Sequence, residues 1–367
     1  MIRSAALAAI LAVLPAAAIA AEERGSLRTY SDWMIGCDNG RTCHAVSLLP
    51  VDVMEGWFLR LDRDAAATAP VQLTLMPQSE TYPHTGILRL HAADADIARL
   101  TIGQGLSLGD DGLIIRDGAA VAAVLAAMRS ADVLEFIFEQ QPAGGDVRVS
   151  ISLSGAQAAL LRMDDLQRRL DTVTALVHRG RKPAGAVPSP PALPIVVPER
   201  ETAGGPPPEV LQVAARDEMV RQSAGYCDDE RNGADSDSRD MVRLGPGLIL
   251  ASVPCFSGAY NFARAYFLVD ESPTPRVRPA LFPRPVEQQG EADPDRTPDN
   301  VLWNADFAAN SSEISQFSKG RGIADCGDTG VWHWDGRAFQ TVSLTMMDSC
   351  RGIMAGYWPK IYSSREQ

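Results

Sequence analysis

Six cysteines, at positions 37, 43, 227, 255, 326 and 350, constrain this chain more than any other feature. An even set of cysteines behind an export signal reads as a disulfide framework, because the exported compartment is oxidising. The export signal is present. Arg3 supplies the positive start, Ala5 to Leu14 form an apolar stretch, and Ala18-Ile19-Ala20 is a small-x-small cleavage site. Residues 1–20 are therefore expected to be a signal peptide, and the mature chain is expected in the periplasm or outside the cell. Glu22 and Glu23 follow at once, so the apolar stretch is too short to span a bilayer. No other segment offers ~18 uninterrupted apolar residues, so no membrane span is expected after cleavage.

The spacing of the cysteines suggests how they pair. Cys37 and Cys43 enclose the turn-rich Asp38-Asn39-Gly40-Arg41-Thr42 and stand far from the rest, so they are expected to join each other. The remaining four allow three connectivities, of which Cys227–Cys255 with Cys326–Cys350 is preferred. Zinc would require paired Cys or His two to four residues apart, a spacing this chain lacks.

Prolines divide the chain. Nine of the 25 fall between Pro183 and Pro208. Such a run favours extended polyproline conformations and builds no core of its own. Residues 180–209 are expected to be a Pro-rich linker that leaves the relative orientation of two domains open. A second proline-rich stretch, 273–298, is expected to be a long surface loop.

The first domain, residues 27–179, has mostly a period of two. Trp57, Leu59 and Leu61 alternate with Phe58, Arg60 and Asp62, while Val147, Val149, Ile151 and Leu153 alternate with Arg148 and three serines. These are half-buried strands. Two helices are expected beside them. One is Ala-rich, over Ala119 to Met128. The other spans Gln157 to Val177, with Leu160, Met163, Leu166 and Leu170 on an apolar face and Asp164, Asp165, Arg168, Arg169 and Asp171 on a solvated one. The second domain, residues 210–362, is expected to be smaller and disulfide-bonded. Its clearest element is a hairpin with Trp332 and Trp334 on one strand, Asp335-Gly336 as a two-residue turn, and Ala338 to Met346 returning. The fold class is thus mainly β with some α: a β-rich, sandwich-like N-terminal domain with two helices, then a β C-terminal domain.

Several spaced motifs belong together: Asp32-Trp33-Met34-Ile35-Gly36-Cys37-Asp38-Asn39, Val253-Pro254-Cys255 with Gly258-Ala259-Tyr260-Asn261, Lys319-Gly320-Arg321-Gly322, Asp325-Cys326-Gly327, Trp332-His333-Trp334-Asp335-Gly336, Cys350-Arg351-Gly352 and Trp358-Pro359. This set resembles a family of exported proteobacterial proteins known as domain of unknown function 1176, over nearly the whole mature chain. The resemblance implies six characteristic cysteines and brings no assigned activity. More weakly, the first domain resembles the invasion-associated locus B family, through Trp33-x-x-x-Cys37 and Leu153-Ser154-Gly155.

The residues themselves offer a few chemical readings. The net charge of −12 argues against a nucleic-acid binder, which needs a basic face. Trp332 and Trp334, two apart on a strand, share a face; they form either a core or a platform for a sugar or peptide. Lys319 and Arg321 sit among glycines that could turn amides toward an anion or a partner, or could be a plain turn. The acidic loop Asp228 to Asp240 imitates the start of a calcium loop, but Arg239 stands where the closing carboxylate belongs. The five histidines, His44, His84, His91, His178 and His333, form no HExxH pattern, and no Gly-x-Ser-x-Gly elbow is present. No catalytic residue, metal or cofactor is expected. The function expected is a non-enzymatic interaction with an envelope protein or glycan. One alternative is inhibition of a lysozyme-type wall-cleaving enzyme. Another is an envelope hydrolase using Asp325, Asp328 or Asp335.

Overall fold

The computed structural model describes residues 24–78, 82–110, 112–139, 145–199, 207, 209–227, 241–287, 297–308 and 311–367. The expected signal peptide and the acidic loop 228–240 lie outside the described residues. The chain is mainly β, as its periodicity requires. The first half is one eleven-stranded sheet. In spatial order its strands are Ser26–Tyr30, Trp33–Cys37, Cys43–Ser47, Trp57–Arg63, Val71–Pro77, Leu113–Ile115, Gly105–Leu108, Ala95–Ile102, Ile87–Ala92, Val133–Glu139 and Val147–Ser152. The sheet curls until its last strand reaches the start of its second: Trp33 Nε1 donates to the Ser152 carbonyl at 2.8 Å, and Asp32 N to the Ser154 carbonyl at 3.0 Å.

Alternation decides what each strand buries. Trp33, Ile35 and Cys37 face inward, together with Cys43, Ala45, Leu59, Leu61, Leu73 and Leu75, into a core that is closed by two helices. Helix α1, Gly118–Ser130, starts where Asp117 accepts from Ala120 N at 2.7 Å and lays Ala120, Val124, Leu125 and Met128 on the core. Helix α2, Ala156–Leu166, adds Leu160 and Met163.

Helix α2 stops at Leu166, eleven residues before the expected end at Val177. Its last turn finds tertiary partners instead. Asp164 accepts from Leu176 N and Val177 N at 2.7–2.8 Å, and the chain turns at Arg168 with φ 58°. Asp164 and Arg169, expected on a solvated face, are both fully buried. Arg169 donates to the carbonyls of Asp64, Ala66 and Ala67 and to Gln167 Oε1, holding the loop after the Trp57–Arg63 strand by its backbone. A buried guanidinium is tolerated because these acceptors satisfy it.

The opposite face of the same strands is also apolar. Met34, Val46, Phe58 and Met76 point away from the first core and pack with Ile314, Trp332, Trp358 and Ile361 of the second half. A Cβ at Gly36 would come within 2.6 Å of Pro359, so the second half approaches the sheet backbone closely there. The two halves therefore share a core, and the expected freedom of orientation is replaced by a fixed seat.

The second half has two five-stranded sheets. One joins Met241–Gly245, Leu248–Ser257, Phe262–Asp270 and Val277–Pro279, with Val301–Trp303 also pairing Phe262–Asp270. Helix α3, Glu209–Ser223, packs on it through Leu211, Ala215 and Met219. This helix was not expected, although that four-residue spacing and the preceding prolines are its sequence signs. The other sheet runs Asp306–Ala308, Glu313–Lys319, Gly327–Trp334, Phe339–Met347 and Lys360–Ser363. Its hairpin forms as expected but closes over four residues, 335–338, because Asp335 Oδ1 accepts from both Arg337 N and Ala338 N at 2.8 Å.

Both proline-rich stretches are tied down where described. Ile195–Val196 pairs in parallel with Arg365–Glu366, and Glu199 N donates to the Trp334 carbonyl at 2.8 Å. In the second stretch Ala280 and Phe282 are fully buried, and the Pro283 carbonyl accepts from Trp332 Nε1 and Thr341 Oγ1. Ala280 and Phe282 thus belong to the shared core, while Leu281 between them is exposed.

Candidate functional site

The three disulfides are those preferred from the sequence: Cys37–Cys43, Cys227–Cys255 and Cys326–Cys350. Cys37–Cys43 joins two neighbouring strands, Cys227–Cys255 joins the turn after α3 to the Leu248–Ser257 strand, Cys326–Cys350 joins two loop residues, and no cysteine is free. The last of them, with Cα atoms 4.6 Å apart, ties the two flanks of the Trp hairpin.

That bond also anchors the loop carrying Lys319 and Arg321. The strand Glu313–Lys319 ends at Lys319, whose Nζ lies 5.5 Å over the Phe317 ring. Gly320 N donates to the Cys326 carbonyl at 2.7 Å, and a Cβ there would lie 2.5 Å from Cys326 Sγ, so only glycine fits beside the disulfide. Arg321 does not reach for solvent anions. Its guanidinium is paired in parallel with Asp325, Nε to Oδ1 at 2.6 Å and Nη2 to Oδ2. Asp325 is fully buried and also accepts from Gly352 N at 2.7 Å. Burial pushes its pKa up, but the Arg321 bond, the Gly352 N–H and the Arg321 charge together hold it below the ordinary carboxylate range.

A second turn lies against this loop. Asn261 Nδ2 donates to the Lys319 carbonyl at 2.7 Å and Asn261 Oδ1 accepts from Lys319 N at 3.2 Å. Asn304 bridges the same place, donating to Asn261 Oδ1 and the Phe317 carbonyl and accepting from Phe262 N. The Asn261 motif and the Lys319 motif, 58 residues apart in sequence, thus form one structure. On its outside stand Phe262, Tyr260 and Ile323, at 60%, 40% and 40% exposure. Gly322 lies against the Tyr260 ring. Sequence reasoning missed these three. The available sign was a pair of aromatics bracketing Asn261 in a Gly-rich turn.

The other candidate residues are engaged elsewhere. Trp332 and Trp334 are buried in the shared core, so neither offers a platform face. The carboxylates considered for hydrolysis do not converge in chemistry. Asp325 is paired with Arg321. Asp328 lies 3.3 Å from Arg284 and accepts from Gln316, with burial pushing its pKa up. Asp335 caps its own turn. Asp325, Cys326 and Cys350 lie close enough together for a metal, but both sulfurs are in the disulfide and offer no thiolate. Among the histidines, His44 contacts Asp62, His91 contacts Asp96 and His178 contacts Asp171. His333 is buried against Glu313, and His84 packs on the Tyr82 ring. No helix among the described residues is long and apolar enough to cross a membrane.

Comparison with known proteins agrees with the motifs. A curated relative, the uncharacterized protein YpfG of Escherichia coli strain K12, is 27% identical over 350 residues, covering 92% of this chain and 93% of the relative. Among solved structures, the invasion associated protein B of Bartonella henselae aligns over 39% of this chain and 98% of its own, at 19% identity and a TM-score of 0.29. The family model described as protein of unknown function (DUF1176) matches residues 27–365, and the chain belongs to that family.

Proposed function

We propose that this protein is an exported, non-enzymatic binding protein of the bacterial cell envelope, working in the periplasm or outside the cell, and that its partner is another envelope protein. The observation that carries this reading is the exposed trio of Phe262, Tyr260 and Ile323, set beside Lys319 on two interlocked turns. Exposed aromatic side chains such as Tyr260 and Phe262 are frequent anchors of protein interfaces. The turns are held by the Asn261–Asn304 bonds, the Arg321–Asp325 pair and the Cys326–Cys350 bond. Such preorganisation lowers the ordering cost of binding. Three disulfides support an oxidising compartment. A protein partner is favoured over a glycan because the tryptophans that would floor a sugar site are buried.

The test is affinity capture from an envelope extract with the mature, oxidised chain. The expected result is a saturable protein partner that is lost with the double substitution Phe262→Ser and Ile323→Ser, while circular dichroism stays unchanged. Equal capture by the substituted chain, or no saturable partner for either, would contradict the reading.

A further inference from the structure

A second surface feature stands apart from the contact turns, none of whose residues line it. It is an open cleft of about 490 Å³ between the end of the Trp57–Arg63 strand, the Val71–Pro77 strand, the start of α1 and the 174–179 segment. Three arginines line it, Arg63, Arg116 and Arg179, and among the described residues no carboxylate does. In a chain of net charge −12 this local excess is against the average.

The three guanidinium groups are used unequally. Arg63 is 5% exposed, with Nη2 on the Thr174 carbonyl at 2.7 Å and Nε on the Ala69 carbonyl at 3.3 Å. Its Nη1 is buried without a hydrogen bond, 3.6 Å from Asp164. Asp164, which also accepts from Leu176 N and Val177 N, is the counter-charge beside Arg63, and it faces Arg169 as well. Burial, and then the positive charges of Arg169 and Arg179 against the opposing charge of Asp164, pull the Arg63 pKa down to about 10. At the surface, Arg116 uses only Nε, on Ser107, and Arg179 only Nε, on the Ala175 carbonyl. Their Nη atoms make no bond among the described residues. Of the remaining wall, Val71, Ile115 and Leu125 form an apolar part and Thr68, Gln72 and Thr174 a polar one. Asp117, next to Arg116, is turned to cap α1 at Ala120 N, and Asp62, next to Arg63, is held by His44 and Arg60.

We propose that this cleft binds a small organic anion, with its carboxylate or phosphate head held by Arg116 and Arg179 above Arg63 and its short apolar body on Val71, Ile115 and Leu125. Guanidinium groups suit both heads, since each presents paired oxygens to the planar fork. The apolar wall sets the ligand apart from a bare inorganic ion.

Calorimetric titration of the mature, oxidised chain with octanoate and with octyl phosphate tests this, with octanol as the neutral chain and inorganic phosphate as the bare head. At least one of the two amphiphilic anions should bind saturably and weaken with added salt. The tighter of them identifies the head. Octanol and inorganic phosphate should bind at least tenfold more weakly. The double substitution Arg116→Ala and Arg179→Ala removes two exposed side chains, so the fold stays intact, and it should weaken the anion at least tenfold. Failure of both anions to bind, equal binding of octanol or of inorganic phosphate, or an unchanged affinity in the substituted chain would each overturn the proposal.

Discussion

The two largest cores of this molecule share four strands, Trp33–Cys37, Cys43–Ser47, Trp57–Arg63 and Val71–Pro77, and differ in ownership. The first, inside the curled sheet, is mostly aliphatic and belongs to the first half alone, with Leu59, Leu61, Leu73, Leu75, Leu88 and Leu90 at its centre. The second lies on the outer face and is aromatic. It combines Met34, Val46 and Phe58 of the first half with Phe282, Trp332, Trp334, Phe339 and Trp358 of the second. A sheet buried on both faces is the middle layer of a larger body, not the wall of a separate domain. What looked like two domains on a proline tether is two halves joined through one sheet.

Four variants probe that difference, in falling order of effect. Trp332→Ala empties the centre of the shared core and should cost about 4 kcal/mol, moving the melting of both halves together in thermal unfolding followed by near-UV and far-UV circular dichroism. A first half that melts unchanged would break the comparison. Replacing Cys326 and Cys350 by alanine opens a loop of sequence separation 24 and should cost about 3.5 kcal/mol by loop entropy, read as a lower urea midpoint. Arg169→Ala orphans the carbonyls of Asp64, Ala66 and Ala67 at the edge of the first core. It should cost about 3 kcal/mol, measured the same way. Arg321→Ala leaves the buried Asp325 carboxylate with the Gly352 N–H but without its cation, so it should lower the urea midpoint, by less than Arg169→Ala because the Arg321 guanidinium is part-exposed, and it should reduce partner capture by loosening the contact loop. Unchanged capture would remove Arg321 from the account.

Protonation sharpens the same contrast. Asp164, beside the first core, has its folded pKa raised from 3.8 by burial. Below 3.8 it is protonated in both states; as pH rises through that value the unfolded chain ionises first and stability falls. Asp325, beside the shared core, has its folded pKa lowered from 3.8. Its contribution is present above 3.8 and is lost as pH falls through the folded value. On acidification from pH 7 to 3, the stability advantage of the native chain should therefore shrink against Asp325→Asn and grow against Asp164→Asn. Urea midpoints at the two pH values read both signs, and like signs would contradict the assignment.

Much of this was legible in the sequence. Inward-facing positions follow directly from period two, and the cysteine spacing led to the pairing observed. The shared core was not legible for a specific reason. Phe58 was grouped with Arg60 and Asp62 on the outward face, and an outward aromatic reads as ordinary surface until something covers it. Met34, Val46 and Met76 carry the same information, but only together. The end of α2 was hidden for the opposite reason. Leu170, Val173 and Val177 keep helical spacing past Leu166, and nothing local shows that Asp164 will spend its carboxylate on Leu176 and Val177. Of the candidate site, Lys319 and Arg321 were visible as a glycine-rich turn. Their neighbours Tyr260 and Phe262 were not, because the Asn261 bond that unites the two turns spans 58 residues.

The union of the two halves is tested most directly by urea unfolding of the mature, oxidised chain, followed at once by far-UV circular dichroism and tryptophan fluorescence. Trp33 reports from the first core and Trp332 from the shared one. One coincident transition is expected for both probes. Two separated transitions, with fluorescence and secondary structure lost at different urea concentrations, would mean that the halves fold apart and that the sheet between them is not a common layer.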